Sequence, residues 1–519
     1  MAERARTCEL PSSRGLALIT RIFTFVSNWL RGPFVSAMLT PVAANGRGYD
    51  GITVTLTEPT VQTDGTYRDR IVAVEPGGNE FISETDRHGH PRQLFWTWTS
   101  PNLEFATIFV GVLAVAAYGM TFWQAVAGIV IGTGLGAIAH YLLSARGPLH
   151  GVPQMVLGRL AFGFKGNALP AVLMSVTAGV GWFATNSVSG AYALAALFGI
   201  GPLLGLVIIV ALQTGFAFFG HNLVQAFERW TFPVLAVIFA ITSIVILSKA
   251  ELGGPAVEGG MGGTGGFLLT VGTAFGYAAG WTPYAADYTR YLPSTVNTAR
   301  TGLYASAGLF LSCVLLEVVG AASVTLGGDS LGNPTEAFTS QLASPLAKAT
   351  LLAIAIGAIA ANSINVYSGA MAFVTLGIKL PHHIARALVT VFFGVAGFLV
   401  AWWALPDAAH SYEAFLLIIA YWIGPWLGVV FADQYLRRGQ SVAGFLYDRA
   451  YTNWKGLLSF VIGLVASVLL FSNQQRFVGV VAAAFPQLGD ITFYVGFVLA
   501  GAAYLVLCRS KIDAERSTV

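Results

Sequence analysis

Twelve apolar stretches follow one another from Phe95 to the carboxyl end of the chain. Each is long enough to cross the hydrocarbon core of a bilayer, which takes about 20 helical residues. Within lipid every backbone amide must be satisfied inside its own segment, and a helix satisfies this requirement. Only 10% of the residues are charged and the mean hydropathy is +0.68, as expected for a membrane protein. The sequence therefore predicts an all-α polytopic membrane protein with twelve transmembrane helices.

The predicted spans divide the chain into three parts. They are numbered 1 to 12 and have cores at residues 97–118, 121–143, 168–196, 201–219, 230–248, 266–288, 302–325, 350–375, 384–404, 411–432, 456–472 and 490–508. Residues 1–92 are predicted to be a cytosolic, largely disordered tail. Within it, residues 16–39 are interrupted by polar side chains, which favours an amphipathic surface helix or an upstream extension. Residues 93–435 hold a ten-helix core, and residues 436–519 add two helices and a short cytosolic tail.

Basic residues predict the orientation of the chain in the membrane. With a cytosolic amino terminus, the outer loops hold three basic residues: Lys249, Lys348 and Arg476. The inner loops hold twelve: Arg146, Arg159, Lys165, Arg229, Arg290, Arg300, Lys379, Arg386, Arg437, Arg438, Arg449 and Lys455. Because short cytosolic loops are enriched in Lys and Arg, both termini are expected in the cytosol. The predicted location is the plasma (inner) membrane, crossed many times.

Predicted span 6 contains the strongest sign of an interrupted helix, in the run GGFLLTVGTAFGYAAGWTPYAADYTRYLP. Four of its residues weaken or break a helix: Gly272, Gly276, Gly280 and Pro283. A broken helix in a membrane must face protein or a water-filled cavity, and many secondary transporters hold their substrates at such breaks. Trp281 offers a flat apolar face beside the break, while Asp287 and Arg290 close the segment at its polar end. The alternative is a Gly-rich packing helix with a capped end.

Two connecting segments also carry helical patterns. Residues Gly147–Pro170 place apolar side chains beside Arg159 and Lys165, which predicts an interfacial helix on the cytosolic surface. Residues Asn333–Ala347, outside the membrane, have weaker helical signals. They are interpreted either as an ordinary solvated loop or as a small external lid.

Tryptophan and asparagine side chains converge at one depth of the predicted bundle. Trp182 and Asn186 are four residues apart and share one face of span 3. At about 1.5 Å per residue, Trp182 lies near the middle of the bilayer, as do Asn362 and Asn365 of span 8 and Trp281 of span 6. Because amides are costly against lipid, they should face the bundle interior. The alternatives are packing for the tryptophans and interhelical hydrogen bonds for the amides.

Five motifs in this order resemble the nucleobase:cation symporter-1 family, and most closely its purine–cytosine permease branch. They are EFISETDRHGHPRQLFWTWTSPN (Glu80–Asn102), GVPQMVLGRLAFG, GWFATN (Gly181–Asn186), GWTPYAADYTRYLP and AANSINVYS (Ala360–Ser368). The resemblance covers residues from about 80 to 510 and leaves out only the beginning of the chain.

The resemblance implies a LeuT-like core of two inverted five-helix repeats, spans 1–5 and 6–10, with spans 1 and 6 discontinuous. It also implies that the substrate lies between spans 1, 3, 6 and 8. The family's stacking tryptophan and its amide in span 3 fall on Trp182 and Asn186. Its asparagine in span 8 falls on Asn365, or on Asn362 in a second alignment. A flat, polar nucleobase would use both kinds of group.

The coupling ion is predicted to be a proton rather than sodium, and no cofactor is expected. Sodium-coupled members of the family use hydroxyl side chains at least one turn before the asparagine of span 8. Counting back from either asparagine reaches only Ile356, Gly357, Ile359 and Ala360. Glu317 in span 7 is the candidate coupling residue, because an intramembrane acid is costly; a structural acid is the alternative. Asp287 and Arg290 are expected to form an ion pair or gate near the cytosolic end.

These observations together predict a secondary active transporter, and not an enzyme, that imports cytosine or purines with protons by alternating access. Symport of allantoin or a hydantoin with sodium is the first alternative; a channel or a membrane-embedded transferase is more remote. No GxxxxGK[ST] motif supports ATP-driven pumping. The net charge of +3 does not indicate a nucleic-acid partner, and the three cysteines form no metal or disulfide pattern. The expected partners are the nucleobase and the lipid bilayer.

Overall fold

The computed structural model describes residues 79–218, 221–257, 260–377, 382–440 and 442–517. Most of the predicted tail, residues 1–78, lies outside the described residues. Its last part, residues 79–92, packs against the bundle, where Ile82 N donates to Gly151 O at 3.0 Å and His88 N donates to Tyr291 O at 2.6 Å. We call this face of the bundle the amino-terminal side.

The described helices follow the predicted spans in order. Span 1 consists of Gln93–Thr99, Ser100–Asn102, Phe105–Val112 and Leu113–Ala117; span 2 is Phe122–Ser144; span 3 is Ala168–Val176, Thr177–Trp182 and Phe183–Phe198; span 4 is Pro202–Phe218; span 5 is His221–Lys249; span 6 is Gly263–Ala279, Thr282–Tyr284 and Ala285–Thr289; span 7 is Thr298–Val324; span 8 is Ser344–Val374; span 9 is His382–Ala404; span 10 is Ala408–Leu436; span 11 is Trp454–Phe471; span 12 is Thr492–Ser517.

Eight continuous helical stretches within the described residues are long and apolar enough to cross a membrane, and the bent span 1 makes a ninth. One of the eight, Leu388–Leu436, includes predicted spans 9 and 10, which a short 3-10 turn at Leu405–Asp407 separates. The prediction of twelve spans agrees with this order of helices and stays a prediction.

Span 1 is bent by 64° between Gln93–Asn102 and Phe105–Ala117. Pro101 lies in the 3-10 turn that ends the first half, and Glu104 has extended backbone angles, φ −149° and ψ 172°. The helical hydrogen-bond ladder is therefore interrupted in the middle of the segment. Polar side chains at this break can face the bundle interior.

Span 6 breaks at Gly280 and Trp281, after an unbroken helix from Gly263 to Ala279. Of the four residues expected to weaken this helix, Gly272 and Gly276 therefore lie within its continuous part. Gly276 instead permits close packing against span 10, because a Cβ atom there would lie 2.5 Å from the carbonyl oxygen of Leu416.

Packing between spans follows the symmetry expected of two inverted repeats. Span 1 packs on span 7 and span 2 on span 6, while span 3 packs on span 9 and span 4 on span 8. When spans 1–5 are exchanged with spans 6–10, the contact between spans 1 and 7 becomes the contact between spans 6 and 2. The contact between spans 3 and 9 likewise becomes the contact between spans 8 and 4. The site described below lies where these two groups of helices meet.

The connection after span 2 differs from its prediction. It forms the short helices Gly147–His150, Gln154–Leu157 and Arg159–Phe162 in place of one interfacial helix. Its apolar side chains are covered by the protein, and the guanidinium of Arg159 donates to the carbonyls of Leu446 and Thr375 at 2.9 and 3.0 Å. The prediction of a surface helix is wrong because the apolar face packs on the bundle rather than on lipid.

The opposite side of the bundle carries a short helix, Pro334–Thr339, and a small antiparallel hairpin of Asn473–Gln474 with Phe477–Val478. The helix lies within the segment interpreted as a loop or lid. Phe338 on this helix is buried and packs edge-on against Phe105 at 5.9 Å. Residues Pro334–Thr339 of this segment are therefore a packed helix rather than a solvated loop. The hairpin, with strands of two residues each, was not predicted.

Candidate functional site

Two tryptophans face each other between spans 3 and 6. The rings of Trp182 and Trp281 are nearly parallel, 9° apart, with centroids separated by 6.2 Å. Both side chains are buried. Trp182 ends a π-helical turn, Thr177–Trp182, a distortion that is frequent at functional sites, and Trp281 lies at the break of span 6. Local departures from α-helical geometry therefore position both rings.

Further aromatic rings hold this pair in place. Tyr277 and Phe415 pack edge-on against Trp182 at 5.3 and 5.2 Å. Phe415 can approach because residue 181 is glycine: a Cβ atom at Gly181 would lie 2.2 Å from its ring. Trp281 Nε1 donates to Asn102 Oδ1 at 2.9 Å, which ties span 6 to the break of span 1.

The three predicted asparagines form one buried hydrogen-bond network with a tyrosine. Asn186 Nδ2 donates to Asn362 Oδ1 at 3.0 Å, and Asn365 Nδ2 donates to the same oxygen at 3.2 Å. Asn362 Nδ2 donates to Phe183 O at 3.0 Å. The hydroxyl of Tyr284 donates to Asn365 Oδ1 at 2.8 Å. Both asparagines considered for the family's position in span 8 therefore belong to this network.

An acidic residue that the sequence analysis did not single out completes the cluster. Glu104 is 1% exposed and sits at the break of span 1. Its Oε1 accepts a hydrogen bond from the hydroxyl of Tyr277 at 3.2 Å. Both carboxyl oxygens lie 3.2 Å from the side-chain amide of Asn186. The sequence did contain a signal for Glu104, since an acid inside an apolar span is itself an indication of function.

The remaining predicted residues lie apart from this cluster. Glu317 is buried in span 7, where Thr133 Oγ1 donates to its Oε2 at 2.7 Å. Asp287 accepts a hydrogen bond from Gln154 N at 2.9 Å on the amino-terminal side. Arg290, also buried, donates to the hydroxyl of Tyr291 at 3.0 Å.

A cavity of about 700 Å³ opens on the opposite side of the bundle. Its inner wall includes Phe105, Gly181, Thr185 and Phe415, which adjoin the cluster. Because Phe415 lines the cavity and also contacts Trp182, its ring lies between the open space and the tryptophan pair.

The amino-terminal side of the cluster is packed with aromatic rings. Trp98 lies edge-on to Trp281 at 5.8 Å and to Tyr288 at 5.6 Å. Beyond them, the hydroxyls of Tyr291 and Tyr367 are 3.1 Å apart. The cluster is thus approached by a cavity from one side and covered by a layer of side chains on the other.

Comparison with known families and proteins gives a consistent result. A model of the family described as permeases for cytosine/purines, uracil, thiamine and allantoin matches residues 81–496. The putative purine-cytosine permease YxlA of Bacillus subtilis is 28% identical over 449 residues, which cover 83% of this chain and 95% of that protein. The purine-cytosine permease fcyB of Emericella nidulans is 28% identical over 436 residues, covering 79% of this chain and 83% of that protein.

Among solved structures, the chain is similar to Mhp1, a nucleobase-cation-symport-1 family transporter, in a closed conformation with bromovinylhydantoin bound. The TM-score is 0.68 at 18% sequence identity, and the match covers 85% of this chain and 96% of that one. This likeness confirms the predicted fold class.

Proposed function

The chain belongs to the family of permeases for cytosine/purines, uracil, thiamine and allantoin, and on this premise we propose that it imports a nucleobase, cytosine or a purine, together with protons. Two relatives that match over most of their length are named purine-cytosine permeases. The proposed mechanism is alternating access, in which the substrate site opens to one side of the membrane at a time.

The observation that carries this proposal is the pairing of two parallel tryptophans with a network of amides. A nucleobase is a flat ring with hydrogen-bond donors and acceptors along its edges. Trp182 and Trp281 offer its faces two aromatic surfaces, and Asn186 with Asn362 offers its edge both kinds of partner. A channel needs no such stationary binding surface.

Substrate entry requires a small movement of the tryptophan pair. A ring inserted between two others needs about 7 Å between their planes, twice a carbon–carbon contact of about 3.5 Å. The ring centroids are 6.2 Å apart. Because nearly parallel planes are no farther apart than their ring centroids, we expect the two indoles to separate by at least about 1 Å when the nucleobase enters between them, with Phe415 moving aside to connect the cavity with the site.

Because the proposed function is import, the substrate enters from outside the cell and leaves to the cytosol. The excess of basic residues in the loops of the amino-terminal side favours a cytosolic location for that side and for both termini. The cavity would then open to the outside of the plasma membrane. Release would require separation of the layer formed by Trp98, Tyr288 and Tyr291, with Asp287 and Arg290 as candidate gate residues at its cytosolic edge.

A proton is the proposed coupling ion because the residues five and six positions before either asparagine of span 8 have no side-chain oxygen. Ile359 and Ala360, or Ile356 and Gly357 in the second alignment, leave a sodium ion without hydroxyl ligands from this helix. Hard cations such as sodium bind through several oxygen ligands.

Uptake into proteoliposomes containing the purified protein tests the proposal. Radiolabelled cytosine is supplied with a pH gradient, with a sodium gradient, or with a protonophore, and unlabelled adenine, hypoxanthine, guanine, uracil, allantoin and a hydantoin compete. We expect saturable uptake driven by the pH gradient, abolished by the protonophore, and competed by purines. Sodium-driven uptake competed mainly by allantoin or the hydantoin would support the alternative substrate class, and no saturable uptake of any labelled ring compound would contradict both.

A further inference from the structure

Glu104 is a buried acid with no described basic partner. It sits at the break of span 1, among the described residues that form the proposed binding site, and is 1% exposed. No described Lys, Arg or His forms an ion pair with its carboxyl group. Transferring an ionised carboxylate into such surroundings without a counter-ion is costly. This position therefore calls for a reason specific to the function.

Within the part of the chain that the structure describes, the titratable groups that face Glu104 all lack positive charge. They come from three packed helices: Tyr277 of span 6, Cys313 of span 7 and Tyr412 of span 10. Spans 3 and 8 contribute Asn186 and, close to the Glu104 Cβ, Gly357. A change in the charge of Glu104 therefore acts mainly on the polar groups that contact it.

The contact with Asn186 depends on the proton of Glu104. While Asn186 Nδ2 donates to Asn362, its Oδ1 lies 3.2 Å from both carboxyl oxygens of Glu104. Two acceptors at this distance repel each other, whereas a protonated carboxyl group donates an O–H bond to the amide oxygen. This arrangement therefore fits neutral Glu104.

The ionised carboxylate fits the other amide orientation. Rotated by half a turn, Asn186 Nδ2 donates to Glu104 at 3.2 Å, but its Oδ1 then faces Asn362 Oδ1 at 3.0 Å. Asn362 cannot turn to compensate without loss, because its Nδ2 already donates to Phe183 O and its Oδ1 accepts from Asn365. Deprotonation of Glu104 therefore leaves two hydrogen-bond acceptors facing each other inside the network, with no proton between them.

Only the neutral form gives every member of the network a complementary partner. Tyr277 donates to Glu104, Glu104 to Asn186, and Asn186 to Asn362, which also accepts from Asn365. The carboxyl proton of Glu104 therefore decides which atoms of the Asn186 amide point toward Asn362 and toward a bound substrate.

We propose that Glu104 carries the transported proton, and that the side-chain amide of Asn186 transmits its protonation state to the substrate site. This inference rests on the proposed function and assigns the coupling to a residue. One proton enters from water in the cavity, whose wall includes the neighbouring Phe105, and adds to the carboxylate. The network is then complete and the substrate binds. After the site opens to the amino-terminal side, the same proton leaves to water there.

Glu317, the other buried acid considered for this role, has a different environment. Its Oε2 accepts from Thr133 Oγ1 of span 2, and none of its described hydrogen bonds reaches the tryptophans or asparagines. Protonation of Glu317 would therefore not alter the donors and acceptors presented to the substrate. It serves as a matched control, since it is equally buried and of the same residue type.

Glu104→Gln tests the proposal because glutamine has a fixed donor and acceptor, as neutral glutamic acid has, but cannot release a proton. In proteoliposomes, we expect Glu104→Gln to keep measurable exchange of internal for external nucleobase, though weaker than in wild type because Glu104 belongs to the binding cluster. Accumulation driven by a pH gradient, and substrate-induced proton entry measured with an internal pH dye, should both be lost. Glu104→Asp, which can still titrate, should recover part of the proton entry, and Glu317→Gln should retain both.

Each result has a definite meaning. Substrate-induced proton entry in Glu104→Gln equal to that of wild type would overturn the proposal, as would its loss in Glu317→Gln alone. Retained exchange in Glu104→Gln shows that the protein is folded; if exchange is lost, the proton entry of Glu104→Asp decides, and its complete absence would count against a coupling role. Wild-type nucleobase uptake without proton entry would contradict the coupling while leaving nucleobase transport intact, whereas absence of wild-type uptake would contradict the proposed function itself.

Discussion

The candidate site has two walls that are built differently. One wall, from spans 3 and 8, presents Trp182, Asn186, Asn362 and Asn365, which all lie within continuous helical segments or at the end of a π-helical turn. The other wall, from spans 1 and 6, presents side chains at helix breaks, where Glu104 has extended backbone angles. Helical backbone holds its side chains rigidly, whereas broken segments can change orientation at lower cost. The first wall is therefore suited to recognition, and the second, which adds the ring of Trp281 to recognition, is suited to coupling.

Asn186→Ala should have the largest effect, because this residue joins the two walls. Its removal takes one hydrogen-bond partner from Asn362 and one from Glu104, and a buried polar group that loses a partner costs about 1–3 kcal/mol. We expect uptake to fall by about 100-fold with unchanged insertion in the membrane. Uptake and the amount of protein at the membrane are measured together.

Ser187→Ala is the control for this substitution, since among the described residues its hydroxyl bonds to Phe183 O at 2.6 Å and Gln213 Oε1 at 2.8 Å and to no side chain of the site. It should transport normally. Near-normal uptake by Asn186→Ala would show that Asn186 is not part of the site and does not connect the two walls.

Substitutions of Trp182 should have the next largest effect on transport, and they test the wall formed by spans 3 and 8. Stacking of a base on an aromatic ring is worth about 1–3 kcal/mol, so Trp182→Ala should weaken nucleobase binding by about tenfold or more. Trp182→Phe keeps an aromatic face and should have a smaller effect. Equilibrium binding of labelled nucleobase to the purified variants measures both. Equal losses would show that stacking is not the role of Trp182.

On the coupling wall, the bond between Trp281 Nε1 and Asn102 Oδ1 should contribute less. Trp281→Phe keeps a ring but removes the donor, and the loss of one hydrogen bond corresponds to about 1 kcal/mol, or roughly fivefold in transport. Asn102→Ala should act similarly. Because both remove the same bond, the double variant should be little worse than either single variant. Fully additive losses would show that the two residues act independently.

Glu317→Gln should have the smallest effect on transport, because its side chain lies outside both walls. Thr133 can still donate to the carboxamide oxygen, so the local hydrogen bond is retained. The KM for nucleobase and the pH profile of uptake are the quantities to compare with wild type. A changed pH profile of uptake in Glu317→Gln would indicate that the coupling residue is Glu317 in span 7 rather than Glu104 at the break of span 1.

The two walls also differ in how well the sequence predicted them. Trp182 and Asn186 could be paired because residues four apart share one face of a regular helix, and both lie in the observed cluster. The asparagines of span 8 were found for the same reason. Periodicity fails where a helix breaks, so Asn102, Glu104 and Tyr284 were missed, although an acid inside an apolar span was visible in the sequence.

The fold was predictable to a similar degree. The apolar stretches gave the order of the helices, and the resemblance gave their arrangement. Two positions differ from expectation because of what packs against them. Gly276 was counted among the residues that weaken span 6 but lies in continuous helix, where it permits close contact with Leu416. The segment around Arg159 was predicted to be an interfacial helix on the cytosolic surface but packs on protein. Hydropathy measures how apolar a segment is and does not identify what covers it.

A structure of the protein with a bound nucleobase tests the central claim most directly. The account predicts that the ring lies between Trp182 and Trp281, with the distance between their centroids increased from 6.2 Å to at least about 7 Å. Its polar edge should lie within hydrogen-bond distance of the Asn186 or Asn362 amide. A nucleobase bound elsewhere, for example in the outer cavity beside Trp403, with the tryptophan pair still in mutual contact, would contradict it.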